Sequence, residues 1–201
     1  MKNDYRNTPD NWKQEFAELF RRSLSYINEQ RRYIYAVALV FVASTIVGFV
    51  FADYFSFFDD ILKEIVDRTG DLDYLEMIWF IFSNNITSSL FALLLGLFFG
   101  VFPFFSALFN GSLLGYVYSK TAIVGGYGVI WRLLPHGIFE LPAILISFGL
   151  GIHFGMALFG RHKRAEIVYR WKRSMQAFLT VVFILLAIAA VVESTLITFA
   201  G

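Results

Sequence analysis

Glu140 has the side chain most able to do chemistry, because it lies in an apolar stretch that is expected to cross a membrane. An ionisable group in hydrocarbon costs at least a few kcal/mol and is usually paired or functional. Its neighbours His136, Gly137 and the prolines Pro135 and Pro142 are unusual for a plain spanning helix. Glu140 is therefore a candidate binding group for a proton, an ion or a small polar solute.

The spacing around Glu140 predicts a polar pocket. His136 and Glu140 are four residues apart, so on a helix they share a face and can hydrogen-bond. Pro135 fits the first turn of a helix, whereas Pro142 lacks a backbone donor and frees the carbonyl of residue 138. Freed backbone groups at membrane depth are tolerated where protein or water satisfies them.

The composition is that of an integral membrane protein. The chain has 201 residues, of which 57% are hydrophobic and 19% aromatic, and its mean hydropathy is +0.60. The net charge of +1 argues against nucleic-acid binding, and the absence of cysteine excludes thiol catalysis and disulfides. No nucleophile stands beside a base and an orienting group, so we expect neither an enzyme nor a cofactor or metal site.

Long apolar runs predict an all-α, polytopic helical bundle with about five transmembrane helices. Residues 1–32 are expected to form a cytoplasmic amphipathic segment and residues 33–201 the transmembrane domain. The predicted spans cover residues 33–52, 78–100, 103–118, 135–159 and 175–199. The second and third are separated by residues 101–103 alone, which predicts a tight hairpin broken at Pro103. The third span is short for a complete crossing.

Charge predicts the orientation. Thirteen of the 17 basic residues fall before the first span or between the fourth and fifth spans. With five spans these two segments lie on one side, which the positive-inside rule makes cytoplasmic. We therefore expect a cell-membrane protein with a cytoplasmic N-terminus and an extracytoplasmic C-terminus.

Two polar segments have helical apolar periodicity. Residues 10–30 predict an amphipathic helix on the cytoplasmic membrane face, and the acidic segment 53–77 carries a similar pattern outside. Each is expected either to pack at the interface or to dock a partner.

Amide and carboxyl groups from four spans are expected at one depth. They lie roughly 8–12 Å from the outer ends of their helices, from the helical rise per residue. The members of this polar layer are Asn84, Asn85, Asn110, Glu140 and Glu193. Such groups either pair across helices as structural glue or form a binding or transport site.

Small residues four positions apart occur in three spans. The pairs are Gly96 and Gly100, Gly111 and Gly115, and Gly151 and Gly155, and Ser147 extends the last pair. Small residues allow close helix approach in lipid. They predict a compact bundle of the second, third and fourth spans and leave a homo-oligomer open.

The segment Leu134–Ala143 resembles the signature of the stage II sporulation protein M family. Asn84–Asn85, Asn110–Gly111 and the following Gly115 also match. Members in spore formers are membrane scaffolds that recruit cell-wall hydrolases, and the family also occurs in organisms that do not sporulate.

The resemblance implies a non-enzymatic membrane scaffold or assembly protein with cell-envelope protein partners. The alternative is a small transporter or channel subunit that binds an ion, a proton or a small polar solute at the polar layer. Intramembrane catalysis by Glu140 and His136 is the third and weakest hypothesis.

Overall fold

The structure is a computed structural model that describes residues 11–125, 130–160 and 162–200. Of the side chains at residue 11 and residues 124–125, 130–136 and 199–200, nothing is described. The described chain is helical, without a β-strand. The helices are α1 (Asn11–Glu29), α2 (Arg31–Val50), α3 (Phe58–Thr69), α4 (Tyr74–Leu95), α5 (Val101–Gly125), α6 (Ile130–Gly155), α7 (Lys163–Ala177) and α8 (Phe183–Ala200).

In the described part of the chain, five helical segments are long and apolar enough to cross a membrane, so the predicted class and number are confirmed. They are Arg31–Val50, Tyr74–Leu95, Val101–Ile123, Gly137–Phe159 and Lys163–Thr198. The last has 36 residues, because α7, a π-helical turn at Phe178–Val182 and α8 follow one another without a break. At 1.5 Å per residue it measures about 54 Å, longer than a bilayer core. The basic segment predicted as a loop is thus largely helical.

The sequence predicted that the hairpin between α4 and α5 breaks at Pro103. In the structure the chain turns earlier, at residues 96–100. Phe99 and Gly100 have positive φ angles of 59° and 73°, which reverse the chain direction. Pro103 lies buried in the first turn of α5. A proline is accepted there because the amide hydrogen it lacks has no helical partner in a first turn.

Two further expectations about the spans need correction. The third span is not short, since α5 has 25 residues and therefore the length for a full crossing. Pro135 does not lie in the first turn of its helix, since α6 begins at Ile130 and continues through both Pro135 and Pro142.

The small-residue faces pack within the chain. A Cβ atom at Gly96 would meet the backbone of Gly151, and one at Gly155 would meet that of Gly96. These contacts join the α4–α5 hairpin to α6.

Gly111 and Gly115 instead face α2, where added Cβ atoms would meet the backbone at Phe41 and Thr45. The third span therefore packs chiefly on the first. Spans two, three and four also contact one another, but the glycine face of the third span does not serve that grouping as predicted. Since all three glycine faces are occupied by the chain itself, they give no support to a homo-oligomer.

The main core is built on α6 and α8. Phe148, Leu150 and Leu186 are at most 1% exposed and belong to one cluster with Leu93 and Val37. The helices α1 and α3 lie at the two ends of the bundle, which are therefore called the α1 end and the α3 end.

Candidate functional site

A cavity of about 430 Å³ lies between the spanning helices toward the α3 end. Its polar lining consists of Asn84, Asn85, Asn110, Glu140 and Glu193, with Thr69 and Tyr118 nearer α3. The residues Leu62 and Ile65 of α3 contribute apolar lining. The structure thus brings together, around one cavity, the five residues assigned to the polar layer. Their role as a functional site stays a prediction.

The carboxyl group of Glu140 interacts with the side chains of Asn85 and Glu193. The Oε2 atom of Glu193 is buried and has no hydrogen-bond partner. None of the described residues that line this cavity is basic. Two acidic groups from α6 and α8 therefore meet with no basic side chain among the described residues of the lining.

Asn110 is anchored to its own helix. Its Nδ2 atom donates a hydrogen bond to the carbonyl oxygen of Ser106 at 2.8 Å. This bond fixes the amide at the cavity wall and uses one of its donors, so the amide oxygen is left for another partner.

A second cavity, of about 590 Å³, extends along α4 beside α5. Ser83, Thr87, Ser88 and Ser106 line it, and it shares Phe80 and Asn84 with the first cavity. We call this cavity the lateral groove and the first one the polar cavity. Asn84, Thr87 and Ser88 are exposed, so the groove opens to the outside of the bundle at membrane depth.

The other residues of the Glu140 motif have distinct positions. The side chains of His136 and Pro135 lie outside the described part, so the predicted contact between His136 and Glu140 is not described. Pro142 is exposed. Among the described residues, a Cβ atom at Gly137 would meet Leu141 alone, no closer than 3.4 Å.

A polar network at the α1 end was missed in the sequence. The Tyr26 hydroxyl lies 3.2 Å from Nδ1 of His153 and 3.3 Å from Oγ of Ser174. An Nη1 atom of Arg170 donates to the His153 carbonyl oxygen at 2.7 Å. His153 is 7% exposed, as expected for a packed histidine. These residues are too far apart in sequence for a periodicity argument to pair them.

The network fastens α1 to the bundle. Ser23 of α1 bonds with Thr180 at 2.8 Å, and Arg173 donates to the Arg22 carbonyl oxygen at 3.2 Å. Burial raises the pKa of the Tyr26 phenol, which keeps it protonated and available as a donor.

Within the described ranges, no group of three His, Asp or Glu side chains is arranged to hold a metal ion. Chemically, the polar cavity is suited to hydrogen bonding and to cation binding by two carboxyl groups.

The helical bundle with its apolar spans and internal polar cavity defines an α-helical integral membrane protein. Residues 37–197 match the family model of stage II sporulation protein M. The chain belongs to this family.

An uncharacterized protein of Methanocaldococcus jannaschii is 32% identical over 187 residues. The match covers 84% of this chain and 82% of that protein. No solved structure matches the chain.

Proposed function

We propose that the chain is a non-enzymatic membrane scaffold or assembly protein that docks envelope proteins at the ends of its helical bundle. The observation that carries this proposal is the pair of amphipathic helices α1 and α3 beside the spans. On α1, Trp12 is 64% and Phe16 is 45% exposed, and on α3, Val66 is 64% exposed. Exposed apolar residues on charged helices suit either an interface with a partner or the membrane surface.

The attachment of these helices supports the proposal. The first is held through Ser23 and Tyr26, while α3 is held by a 2.5 Å hydrogen bond from the Tyr116 hydroxyl to Asp59. A docking surface on a fixed helix loses less conformational entropy on binding than a mobile segment does.

Family membership supports a membrane location. The family description refers to sporulation, and our proposal for this chain is limited to membrane assembly.

A second candidate function is the binding or transport of a cation, a proton or a small polar solute. The polar cavity favours it, because the contact between Glu140 and Glu193 has no basic side chain in the described lining. Carboxyl groups placed in this way are typical of ion pathways in membranes.

Glu140→Gln tests the two candidates, since it keeps the shape and removes the charge. Asp60→Asn on the exposed side of α3 is the matched control. Proton, sodium and potassium flux are measured in liposomes that contain each full-length variant. Partner contact is measured in cells by a photo-crosslinking residue at Val66.

The scaffold proposal expects wild-type flux equal to that of protein-free liposomes, together with a discrete crosslinked protein at Val66 in all three chains. Transport instead predicts wild-type flux that falls about tenfold or more in Glu140→Gln, equivalent to about 1.4 kcal/mol of lost stabilisation. Such a loss in a variant that still crosslinks normally would rule out a purely scaffolding role.

A further inference from the structure

The lateral groove places polar groups where a membrane protein normally presents apolar ones. Asn84, Thr87 and Ser88 lie inside a spanning helix and are exposed on its surface. Hydrocarbon chains offer no hydrogen bonds, so each such group is costly unless a polar molecule covers it. The groove therefore calls for a polar occupant at this depth.

Beyond Phe80, the part of the groove lining that α4 provides changes from polar to apolar, while Ser106 of α5 adds a further hydroxyl group. Toward the α3 end the lining carries Ser83 and Asn84, followed by Thr87 and Ser88. One and two turns farther along α4, the lining becomes apolar at Phe91 and Leu95. A lipid in the adjoining leaflet has the same order, with its headgroup toward the α3 end and its chains toward the middle of the bilayer.

The charged residues along the lateral groove and the polar cavity restrict which lipid headgroup fits. Arg68 of α3 lines the groove and is ion-paired with Glu64 at 2.6 Å. Farther in, beyond the shared residue Asn84, the polar cavity presents Glu140 and Glu193. A positive group outside and two carboxyl groups inside match a headgroup that carries a phosphate and ends in an amine.

We propose that the lateral groove binds a phospholipid whose headgroup ends in a primary amine, with the amine in the polar cavity near Glu140 and Glu193. The phosphate lies in the groove on the Arg68 side, and the acyl chains follow Phe91 and Leu95 into the bilayer. This inference rests on the second candidate function, the binding role of the polar cavity, and names the chemistry of its ligand.

The dimensions favour a lipid over a helix of a partner or of a second copy. A helix with its side chains is about 10 Å across, so it can cover the groove but cannot enter an inner cavity of about 430 Å³. A helix would leave the pair Glu140 and Glu193 without a cationic partner, whereas an amine headgroup is small enough for this cavity, whose lining shares Asn84 with the groove.

The test uses full-length protein in nanodiscs with equal amounts of ethanolamine, choline and glycerol phospholipids. Bound lipids are counted by native mass spectrometry after release from the disc. We expect the wild type to retain at least about five times more ethanolamine lipid than choline lipid. Because a tenfold preference corresponds to about 1.4 kcal/mol of binding free energy, one charge contact is enough to produce this ratio.

Two variants and one control locate the effect. Ser88→Trp fills the groove and is expected to abolish retention, while Ile46→Trp at a 58% exposed position of α2 should retain the lipid as the wild type does. Glu140→Gln is expected to retain lipid with the preference for the amine lost. Both exposed tryptophan sites leave the core intact, so a folded protein is expected in each case.

Equal retention of the three lipids by the wild type, or unchanged retention in Ser88→Trp, would overturn the inference. So would disulfide-linked dimers from a single Ser88→Cys variant, because they would place a second copy over the groove. Flux that depends on Glu140 with no amine-lipid preference would reject the lipid while leaving the binding role of the cavity standing. If the wild type showed neither Glu140-dependent flux nor a preference for the amine lipid, the binding role of the polar cavity would itself be rejected.

Discussion

At the scale of single residues, the chain treats its buried polar groups in two ways. At the α1 end, Tyr26 has hydrogen-bond partners on both His153 and Ser174, as a structural network requires. At the α3 end, Glu193 keeps a buried oxygen without a partner beside Glu140. The first arrangement stabilises the fold by itself, whereas the second leaves a buried oxygen open for the proposed ligand.

Tyr26→Phe is predicted to destabilise the protein by about 1–3 kcal/mol, because it leaves two buried groups without their hydrogen bond. The measurement is the midpoint of thermal unfolding in detergent, which should fall by about 2–4 °C for each kcal/mol in a chain of this size. Tyr35→Phe, at a 68% exposed position, is the control and should leave the midpoint unchanged. Equal midpoints for both variants would show that the network adds no stability.

Alkaline pH should weaken the same network. Burial raises the pKa of Tyr26 in the folded protein, so its stabilising contribution is complete below the unfolded value of about 10. It is lost as the pH rises through the folded value. The midpoint difference between wild type and Tyr26→Phe should therefore shrink in an unfolding series above about pH 10, and a difference independent of pH would contradict this assignment.

At the scale of helices, glycine determines which segments touch. The contact of Gly96 with Gly151 and Gly155 joins the α4–α5 hairpin to α6, and Gly48 meets the backbone of Ser112 in α5. Close backbone approach provides the van der Waals contact that holds helices together in lipid. These contacts place α6, which carries Glu140, beside α4, which carries Asn84 and Asn85.

Gly96→Ala should lower stability by about 1–3 kcal/mol or prevent folding, because the added methyl group meets the backbone of Gly151. Gly137→Ala is the matched control, since the flexible side chain of Leu141 is the one described group near the added atom. Alanine also has the higher helix propensity, by about 1 kcal/mol. Yield and unfolding midpoint in detergent distinguish them, and an equally harmful Gly137→Ala would contradict the packing assignment.

At the scale of the whole molecule, the two ends of the bundle differ in charge and contacts. The α1 end carries the basic helix α7 with Arg170 and Arg173, and the α3 end carries Asp59 and Asp60 in the first turn of α3. By the positive-inside rule we predict that the α1 end faces the cytoplasm.

Single cysteines test this orientation, because the chain has none of its own. We expect a membrane-impermeant maleimide to label Asp67→Cys in intact cells. Ser25→Cys should react only after permeabilisation. Both positions are exposed, so accessibility within the protein does not bias the comparison, and the reverse labelling pattern would invert the predicted topology.

Sequence patterns predicted the helical class, the number of spans and the residues around the polar cavity, because hydropathy and helical rise are local properties. They did not predict the turn at Phe99–Gly100, since its positive φ angles arise from packing on α6. The partnership of Tyr26 with His153, and of Gly111 with α2, depends on contacts between distant segments. For the same reason, the exposure of the Thr87 and Ser88 side chains could be seen only in the structure.

The unbroken helix from α7 through the π-helical turn to α8 has a mechanical consequence. Its first half carries Arg173 and Thr180, which form hydrogen bonds with α1, and its second half carries Glu193 in the polar cavity. A π turn holds an extra residue, so tightening it into regular α-helix would turn the rest of the rod by about 100°. One continuous helix thus joins the residues that hold α1 to a carboxyl group of the polar cavity, so a change in the π turn would reorient that carboxyl group relative to α1.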